Sequence, residues 1–427
     1  MAASPAQGGR LTDAVSCPDA ICMLKTIVVV NDFAHINGGA GKVALTSAIR
    51  LAQQGYQVIV FAAVEPIMPG LVAAGVRVVV TGQYEILKDP DRLRAAVQGI
   101  WNRKAQEMMA TVLSSLDPAS AILHVHSWTK ALSTSFIRVA IQRGFRVICT
   151  LHDYFSACPN GGFFDYQRSA ICKEVPLSLG CISRNCDVRS YPQKGWRVAR
   201  QFVQRSAGKM PAGVKHFITI SDFSESILRP YLPSDAILYR VENPIDAERR
   251  ACIDVRANDA LTFVGRLSPE KGVVMLAAAV QRLEANVTFV GEGECRRTIE
   301  SICPKAHITG WVAGDEVGRY LAAARALILP SLWYEASPLV IAEAAALGIP
   351  SIVADTCAAK DMVEDGRTGF WFRGGNEDDL QEKMRFILQP DVAAKLGEAA
   401  YQAYWDAPRT LDGHVAKLER CYRHALS

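Results

Sequence analysis

The chain has 427 residues, of which 50% are hydrophobic and 21% charged, an ordinary globular balance at a length that suits two domains of about 200 residues each. No apolar run approaches the roughly 20 residues that span a bilayer, so we expect a soluble protein. The formal charge of +4 is unevenly distributed: residues 1–215 carry 24 basic and 13 acidic side chains, and residues 216–427 carry 23 and 30.

The basic first half would favour an anionic partner, either lipid headgroups at the inner face of a membrane or a phosphorylated acceptor. An ordinary solvated surface explains the asymmetry equally well. Nucleic acid is not expected as a partner, because the chain contains no recognisable binding module. Twelve cysteines at this length do not make a secreted disulfide scaffold, so we expect a cytoplasmic protein.

The N-terminal 22 residues lack the basic start and long apolar core of a secretory signal. We predict that residues 1–22 form a disordered extension. Met23 directly precedes the first apolar run, so translation could equally begin there.

From residue 23 the first half alternates apolar runs with helical patterns. Its predicted elements are a strand at 25–30, a glycine-rich turn at 38–41, a helix at 42–54, and strands at 57–63, 76–80, 120–125 and 145–151. A helix precedes the last of these strands. Such β-α-β alternation indicates a parallel sheet.

Residues 154–197 interrupt this alternation as an insertion in the first domain. It contains four cysteines, at positions Cys158, Cys172, Cys181 and Cys186. Their spacing lacks paired CxxC knuckles, so structural zinc, buried unliganded thiols and disulfides all remain open. The basic side chains of the segment could meet a lipid diphosphate, or the insertion could be a packing flap. These side chains are Arg184, Arg189, Lys194, Arg197 and Arg200.

The second half restarts the same pattern. Its predicted elements are a strand at 260–264, the turn GRLSPEKG at 265–272, a helix at 272–284, a strand at 286–290, Gly-Glu-Gly at 291–293, a helix at 294–302, and strands at 306–309, 326–330 and 350–353. We therefore predict two doubly wound α/β domains facing a cleft, over 23–245 and 246–395, with a hinge near 242–258 and helices at 396–427 packing back.

The segment from Glu335 to Glu343 is the most informative part of the chain. It follows a predicted strand, so Glu335 should lie on the loop above the strand end. Ser337 suits a helix N-cap and Pro338 the first helical position, which places Glu343 about one and a half turns into the helix. A helix that begins beyond the carboxyl end of a strand offers free N–H groups to a phosphate.

Taken in order, these motifs resemble the retaining glycosyltransferases of family 4. They are the turn at 38–41, Gly265-Arg266 with Lys271, Gly291-Glu292-Gly293, and the Glu335 to Glu343 segment. The resemblance extends over nearly the whole chain from about residue 23. It implies a GT-B fold, two Rossmann-like domains around a deep cleft. It also implies transfer of a hexose from a nucleotide-sugar to a glycan or lipid-linked saccharide, as in bacterial polysaccharide biosynthesis, with no cofactor required.

The resemblance also implies roles for individual residues. Glu335 would face the donor hexose and Glu343 the nucleotide ribose, while Arg266 and Lys271 would flank the diphosphate and neutralise the leaving group. His152 would touch the donor sugar, and His126 and Asp153 are candidates on the acceptor side. The remaining donor-binding candidates are Gly38, Gly39, Gly265, Gly291, Gly293, Ser337, Pro338 and Leu339.

Two details of these motifs are specific to this chain. Relatives often have Gly-Phe where this chain has Ala336-Ser337, so Ser337 could both cap the helix and reach the donor phosphate. A P-loop is excluded for GGAGKV, because the motif needs glycine at position 36 and serine or threonine at 43, where Ile36 and Val43 stand.

Three alternatives remain. A nucleotide-sugar epimerase on the same fold would act without an acceptor, and a phosphorylase would need a cofactor lysine that the sequence does not identify. A non-catalytic subunit that binds sugar-nucleotide or glycan would not need Arg266, Lys271, Glu335 and Glu343 together.

Overall fold

The computed structural model describes residues 24–314 and 316–427, so the predicted disordered extension at 1–22 lies outside the described part of the chain. The first half contributes the strands β1 (Thr26–Val30), β2 (Gln57–Ala62), β3 (Arg77–Val80), β4 (Ala121–Val125), β5 (Arg146–Thr150), β6 (Phe164–Asp165), β7 (Ala170–Ile171), β8 (His216–Thr219) and β9 (Ile237–Arg240). Its helices are α1 (Gly39–Gln53), α2 (Pro69–Ala73), α3 (Arg92–Ile100), α4 (Arg103–Ser114), α5 (Ser135–Gln142), α6 (Leu179–Ser183), α7 (Tyr191–Ser206) and α8 (Asp222–Leu228).

The second half contributes the strands β10 (Ala260–Val264), β11 (Asn286–Val290), β12 (His307–Ile308), β13 (Ala324–Leu329), β14 (Ser351–Ala354) and β15 (Gly369–Phe372). Its helices are α9 (Val273–Leu283), α10 (Arg296–Ile302), α11 (Val317–Ala322), α12 (Leu339–Leu347), α13 (Glu377–Ile387), α14 (Pro390–Asp406) and α15 (Leu411–Leu426). No helix in the described ranges is long and apolar enough to cross a bilayer.

The first sheet has seven parallel strands in the order β3-β2-β1-β4-β5-β8-β9, and β6 and β7 form a separate antiparallel hairpin in the insertion. Strand β1 pairs with β2 on one side and β4 on the other, with Thr26 opposite Gln57 and Ala121. All five residues of β1 are buried. Helices cover both faces of such a sheet, which is why its central strands read as uninterrupted apolar runs.

The second sheet has six parallel strands in the order β12-β11-β10-β13-β14-β15. Its core includes Phe263 and Phe289, whose ring centroids lie 6.0 Å apart on neighbouring strands. In both sheets the domain's first strand, β1 or β10, lies third from one edge, and the strand order reverses beside it. This is the topology of two Rossmann-like domains, as predicted, and it places the ligand-binding edge at the carboxyl ends of the strands.

The C-terminal helices divide between the domains. Helix α14 begins at Pro390, earlier than the predicted 396, and buries Ala393 and Leu396 in the core of the second domain. Helix α15 crosses back to the first sheet, where Tyr422 is fully buried and its hydroxyl lies 2.7 Å from His124 Nδ1. The prediction that the C-terminal helices pack back on the first domain is therefore confirmed for α15. Helix α14 instead packs on the second domain.

Several elements differ from the sequence prediction. Helix α1 begins at Gly39, so most of the predicted glycine-rich turn is the first helical turn. Helix α7 runs on to Ser206, past the predicted end of the insertion at 197. The sequence reading also missed the helices α3, α4 and α13 and the short strands β8, β9 and β15. These strands have four residues each, too few to show a period.

Candidate functional site

Two loops of the second domain form the centre of the site. Strands β10 and β13 are neighbours, so the loop 265–272 that follows β10 lies beside the loop 330–338 that follows β13. The Leu332 N–H donates to the Glu270 carbonyl over 2.9 Å and fixes the two loops to each other. Both loops thus present their side chains at the carboxyl edge of the sheet.

Lys271 and Glu335 form an ion pair across these loops, although 64 positions separate them in the chain. The Ser331 hydroxyl donates to the second Glu335 oxygen over 2.7 Å. Burial alone raises the pKa of Glu335, but the Lys271 ammonium and the Ser331 hydroxyl outweigh it and hold the pKa below its ordinary value. Glu335 is therefore an ionised carboxylate in a fixed orientation. Ser331 was not predicted as a site residue.

Arg266 is anchored by a carboxylate within its own loop. Its guanidinium pairs with Glu270, whose side chain is 1% exposed, and donates to the Ser268 hydroxyl over 3.2 Å, while the Arg266 side chain stays 64% exposed. A buried carboxylate thus directs a solvent-facing guanidinium. The sequence analysis missed Glu270, although an acidic residue between two cations in one short turn was the available signal.

The prediction that Ser337 caps the following helix is wrong. Helix α12 begins at Leu339, Pro338 is its N-cap residue, and no side chain caps the helix. The first backbone N–H groups of α12 thus lack a side-chain acceptor. The Ser337 Oγ is buried and has no hydrogen-bond partner within the described ranges. A buried hydroxyl without a partner is costly, so this group suits an external acceptor.

We expect Ser337→Ala to weaken nucleotide-sugar binding by about 5- to 10-fold, since one hydrogen bond contributes about 1 kcal/mol. The melting temperature without ligand should be unchanged, because the hydroxyl has no hydrogen-bond partner among the residues that the structure describes. Titration calorimetry with the donor measures the first effect and a thermal melt the second. A lower melting temperature with unaltered affinity would show a structural hydroxyl instead.

Helix α1 of the first domain approaches α12 across the cleft. A Cβ built on Gly39 would lie 3.6 Å from Leu339 Cδ1, and Gly38 before it has a φ of 90°. Glu343 is half-buried in the second turn of α12, where burial raises its pKa and the positive charge of Lys42 on α1 opposes the rise. The N-termini of two helices therefore lie close to one another, and both favour an anion.

The loop that carries Glu335 is also held by the first domain. The Ser221 hydroxyl donates to the Ala336 carbonyl over 2.6 Å. The Tyr334 ring lies with its centroid 6.2 Å from that of Tyr154 and 5.5 Å from that of Phe223. The position of Glu335 thus depends on contacts with both domains.

Three of the predicted donor-binding glycines have a packing role in the structure. A Cβ on Gly291 would lie 2.0 Å from the Gly265 carbonyl oxygen, and one on Gly293 would lie 2.3 Å from that of Leu267. The Gly265 N–H also donates to the Val290 carbonyl over 3.0 Å. The two loops therefore touch backbone to backbone, which only residues without a side chain allow at these positions. A role in donor binding remains a prediction.

The two predicted histidines lie in direct contact. His126 Nδ1 and His152 Nε2 are 2.9 Å apart, and the ring centroids 5.2 Å. Burial lowers the pKa of His152 to about 3 and that of His126 well below its ordinary value, so both rings are neutral at pH 7. His126 Nε2 is buried and has no partner within the described part of the chain. The pair therefore offers neutral hydrogen-bonding groups, not a cation, beside the cleft.

The pKa of His152 predicts acid sensitivity. The pKa of His152 in the folded protein, about 3, lies below the ordinary value of 6.5. The neutral ring therefore makes its full contribution to the unfolding free energy above pH 6.5, and this contribution is lost as the pH falls toward 3. Between pH 7.5 and 5, His152→Gln should lose about 1 to 2 kcal/mol less unfolding free energy than the parent protein. Urea denaturation at both pH values measures this difference. His307→Gln, at an exposed position, should match the parent, and identical losses in all three proteins would contradict the prediction.

Asp153 is partly buried beyond β5, where burial raises its pKa to about 6. Its Oδ1 accepts the Phe155 N–H over 2.9 Å. Asp32, which the sequence analysis did not select, is fully buried and accepts the three backbone N–H groups of residues 130–132 over 2.9 to 3.0 Å. Asp32 thus organises a turn, whereas Asp153 remains the candidate for contact with an acceptor.

The insertion cysteines do not form the zinc site that was one of the open readings. Within the described ranges no three His, Cys, Asp or Glu side chains are grouped so as to hold a metal ion, and the cysteines are free thiols. The Lys194 Nζ donates to Cys186 Sγ over 3.1 Å and to Cys181 Sγ over 3.6 Å. A positive charge in this position would repel a metal cation, so the residues present do not fit zinc.

Most basic side chains of the insertion are also engaged internally. Lys194 and Arg200 are buried, and Arg184 and Arg197 pair with carboxylates at 2.9 Å and 2.6 Å. Only Arg189 of the five predicted residues is exposed. The prediction that this group meets a lipid diphosphate is therefore wrong for the buried Lys194 and Arg200, and it stays a prediction for Arg184, Arg189 and Arg197.

Two facing Rossmann-like sheets, a helix that returns to the first, and a site at the adjoining strand ends define the GT-B class of glycosyltransferases. Residues 37–249 match the family model described as Glycosyltransferase Family 4, and residues 258–390 match Glycosyl transferases group 1. The chain belongs to glycosyltransferase family 4.

Similar proteins agree with this assignment. A putative teichuronic acid biosynthesis glycosyltransferase of Bacillus subtilis is 28% identical over 58% of this chain and 59% of its own length. Glycogen synthase of Mycobacterium tuberculosis is 30% identical over 63% of this chain and 68% of its own length. The sulfoquinovosyl transferase of Arabidopsis thaliana is 31% identical, but over 32% of this chain and 28% of its own. The chain thus spans less than two thirds of some of these relatives.

Solved structures share the fold at low sequence identity. Sucrose-phosphate synthase from Thermosynechococcus elongatus superposes with a TM-score of 0.68 at 17% identity, covering 94% of this chain and 98% of its own. HepE of Anabaena in complex with UDP-glucose superposes with a TM-score of 0.63 at 14% identity, covering 93% and 99%.

Proposed function

We propose that this protein is a retaining glycosyltransferase that moves a hexose from a nucleotide-sugar to a glycan or a lipid-linked saccharide, in bacterial polysaccharide biosynthesis. The observation that carries the proposal is the Lys271 to Glu335 pair beside the uncapped N-terminus of α12. This arrangement joins a cation and free N–H groups, suited to a diphosphate, to an ionised carboxylate, suited to sugar hydroxyls. The UDP-glucose complex of HepE supports a uridine diphosphate donor.

In this proposal the donor diphosphate lies between the N-termini of α1 and α12. Arg266 and Lys271 stabilise the charge that grows on it as the glycosidic bond breaks. Glu335 accepts hydrogen bonds from hexose hydroxyls, Glu343 accepts them from the ribose, and His152 contacts the sugar as a neutral ring. Retention follows from attack of the acceptor hydroxyl on the face from which the diphosphate leaves, with a phosphate oxygen taking the proton.

The acceptor side of the proposal rests on the first domain. Asp153 and His126 follow the carboxyl ends of β5 and β4, and Asp153 has the partial burial of a group that a ligand can reach. A peripheral contact with a membrane through the basic first half remains part of the proposal. It would involve exposed surface outside the buried cations of the insertion.

A two-stage experiment tests the proposal. Thermal melts with UDP-, GDP- and ADP-sugars identify the donor, since a matched ligand raises the melting temperature by mass action. Turnover with that donor and a lipid-linked saccharide extract is then followed by NMR, and an unchanged anomeric configuration is the expected result. Isomerised donor without acceptor would indicate an epimerase, and a raised melting temperature without turnover a binding subunit; either outcome overturns the proposal.

A further inference from the structure

Lys194 on α7 is a fully buried ammonium group whose partners are sulfur atoms. Within residues 24–314 and 316–427, its Nζ donates to Cys186 Sγ over 3.1 Å and to Cys181 Sγ over 3.6 Å. Glu174 borders the same cavity, but it pairs with Arg184 at 2.9 Å. A buried lysine usually has a carboxylate partner, because an isolated charge in the interior is costly. The proposed glycosyl transfer makes no use of this arrangement.

The surroundings of Lys194 are enclosed and mostly apolar. Four cysteines line one cavity together with Phe163 and Phe164, namely Cys158, Cys172, Cys181 and Cys186. The cavity leaves ≈ 10 Å³ for the centre of a water-sized molecule. This is room for about one small molecule, and an apolar lining suits dioxygen better than water. The Asn160 amide also donates to Cys186 Sγ over 3.2 Å, which fixes the sulfur atom beside the amine.

We propose that Lys194 and Cys186 form a covalent nitrogen-oxygen-sulfur cross-link when the protein meets dioxygen, which makes the insertion a site of reversible oxidative modification. An ammonium-thiolate pair and an amine-thiol pair hold the same number of protons, so the reaction can start from either. The nitrogen and the sulfur each lose one proton and two electrons. One oxygen atom of dioxygen enters between them and the other leaves as water, which accounts for all four electrons. Dithiol reductants reverse the cross-link.

Cys186 is the expected partner because it is the nearer sulfur and because the Asn160 amide holds it in place. Its Sγ lies 0.5 Å nearer to Nζ than that of Cys181, at 3.1 Å against 3.6 Å. Cys172 borders the same cavity, but its backbone N–H donates to Phe163 over 2.7 Å and its sulfur has no described contact with Lys194. Cys172 therefore supplies a matched control within the same cavity.

The test compares full-length protein kept under air with protein kept under nitrogen in dithiothreitol. Peptide mapping of the aerobic sample should show residues 186 and 194 joined, with the summed peptide masses plus one oxygen atom and minus two hydrogen atoms, and dithiothreitol should release the two peptides. Cys186→Ser and Lys194→Arg should each abolish this species, and Cys172→Ser should retain it.

Three results would overturn the proposal. These are aerobic protein in which residues 186 and 194 stay unlinked, a disulfide among the four cysteines in place of the cross-link, and one equivalent of tightly bound zinc. If Lys194→Arg fails to fold, Cys186→Ser decides, since serine keeps the size of the side chain and leaves the amine in place.

Discussion

Replacing Lys271 by methionine should lower kcat by about 100-fold or more, because it removes a charge aimed at the leaving diphosphate. The Lys271 side chain is 16% exposed, and its ammonium group pairs with Glu335, whose side chain is 14% exposed. Without Lys271 the burial that now raises the pKa of Glu335 is no longer outweighed, so this pKa should rise. Steady-state kinetics with the matched donor, followed over a range of pH, measures both effects.

Two further variants make this test specific to the site. Glu335→Gln should cost much less in the Lys271→Met background than in the parent protein, because the two residues act as one unit. Lys417→Met breaks a comparable pair, with Lys417 Nζ 2.6 Å from Glu242, in another part of the chain and should leave kcat within about 2-fold. If Lys271→Met keeps half or more of the parent kcat, the leaving-group role is wrong.

Gly291→Ala should destabilise the second domain by about 3 kcal/mol or more. Its Cβ would lie 2.0 Å from the Gly265 carbonyl oxygen, and the backbone φ of 147° is one that residues with a side chain rarely adopt. Relief is difficult because the Gly265 N–H is itself bonded to Val290. Urea denaturation followed by intrinsic fluorescence gives the change in unfolding free energy.

Gly75→Ala separates the steric contact of the new Cβ from the backbone strain at a positive φ. Gly75 also has a positive φ, of 75°, but a Cβ there would meet nothing within 4 Å, so its cost should be the conformational one alone, about 1 kcal/mol. Equal losses of stability in both variants would show that the backbone contact with Gly265 contributes nothing.

The local hydrophobic pattern of the sequence was sufficient to predict the central strands. The apolar runs that became β1, β2, β10 and β11 were placed within one residue of their observed bounds, because buried parallel strands have continuous apolar sequences. Local pattern was insufficient at the first glycine-rich segment. Gly39 and Gly41 were read as a turn, yet α1 begins at Gly39 because neighbouring residues such as Val43, Ala44 and Leu45 are buried against the sheet. Tertiary burial there outweighs the low helix propensity of glycine.

The candidate site divides in the same way. The sequence placed Glu335 beyond a strand end, Lys271 and Arg266 in a turn, and Glu343 in a helix. These placements depend on helix-boundary residues and hydrophobic periodicity within about ten residues of each position. It could not show that Lys271 pairs with Glu335, that the Ser337 hydroxyl finds no hydrogen-bond partner in the described part of the chain, or that Glu270 directs Arg266. Those contacts depend on the adjacency of β10 and β13, which is a property of the sheet order.

By itself, then, the sequence determined that the chain has two strand-helix halves and which loops carry the charged residues. Both depend on apolar runs and turn residues that lie within a few positions of one another. Only the tertiary structure decided the outcome for the cysteines of the insertion. Spacing left zinc, disulfides and free thiols open, and the fold placed the ammonium of Lys194 between two thiols. The tertiary structure also returned α15 to the first sheet. The physical reason is that long-range packing chooses which side chains meet, and the spacing of residues along a chain does not encode that choice.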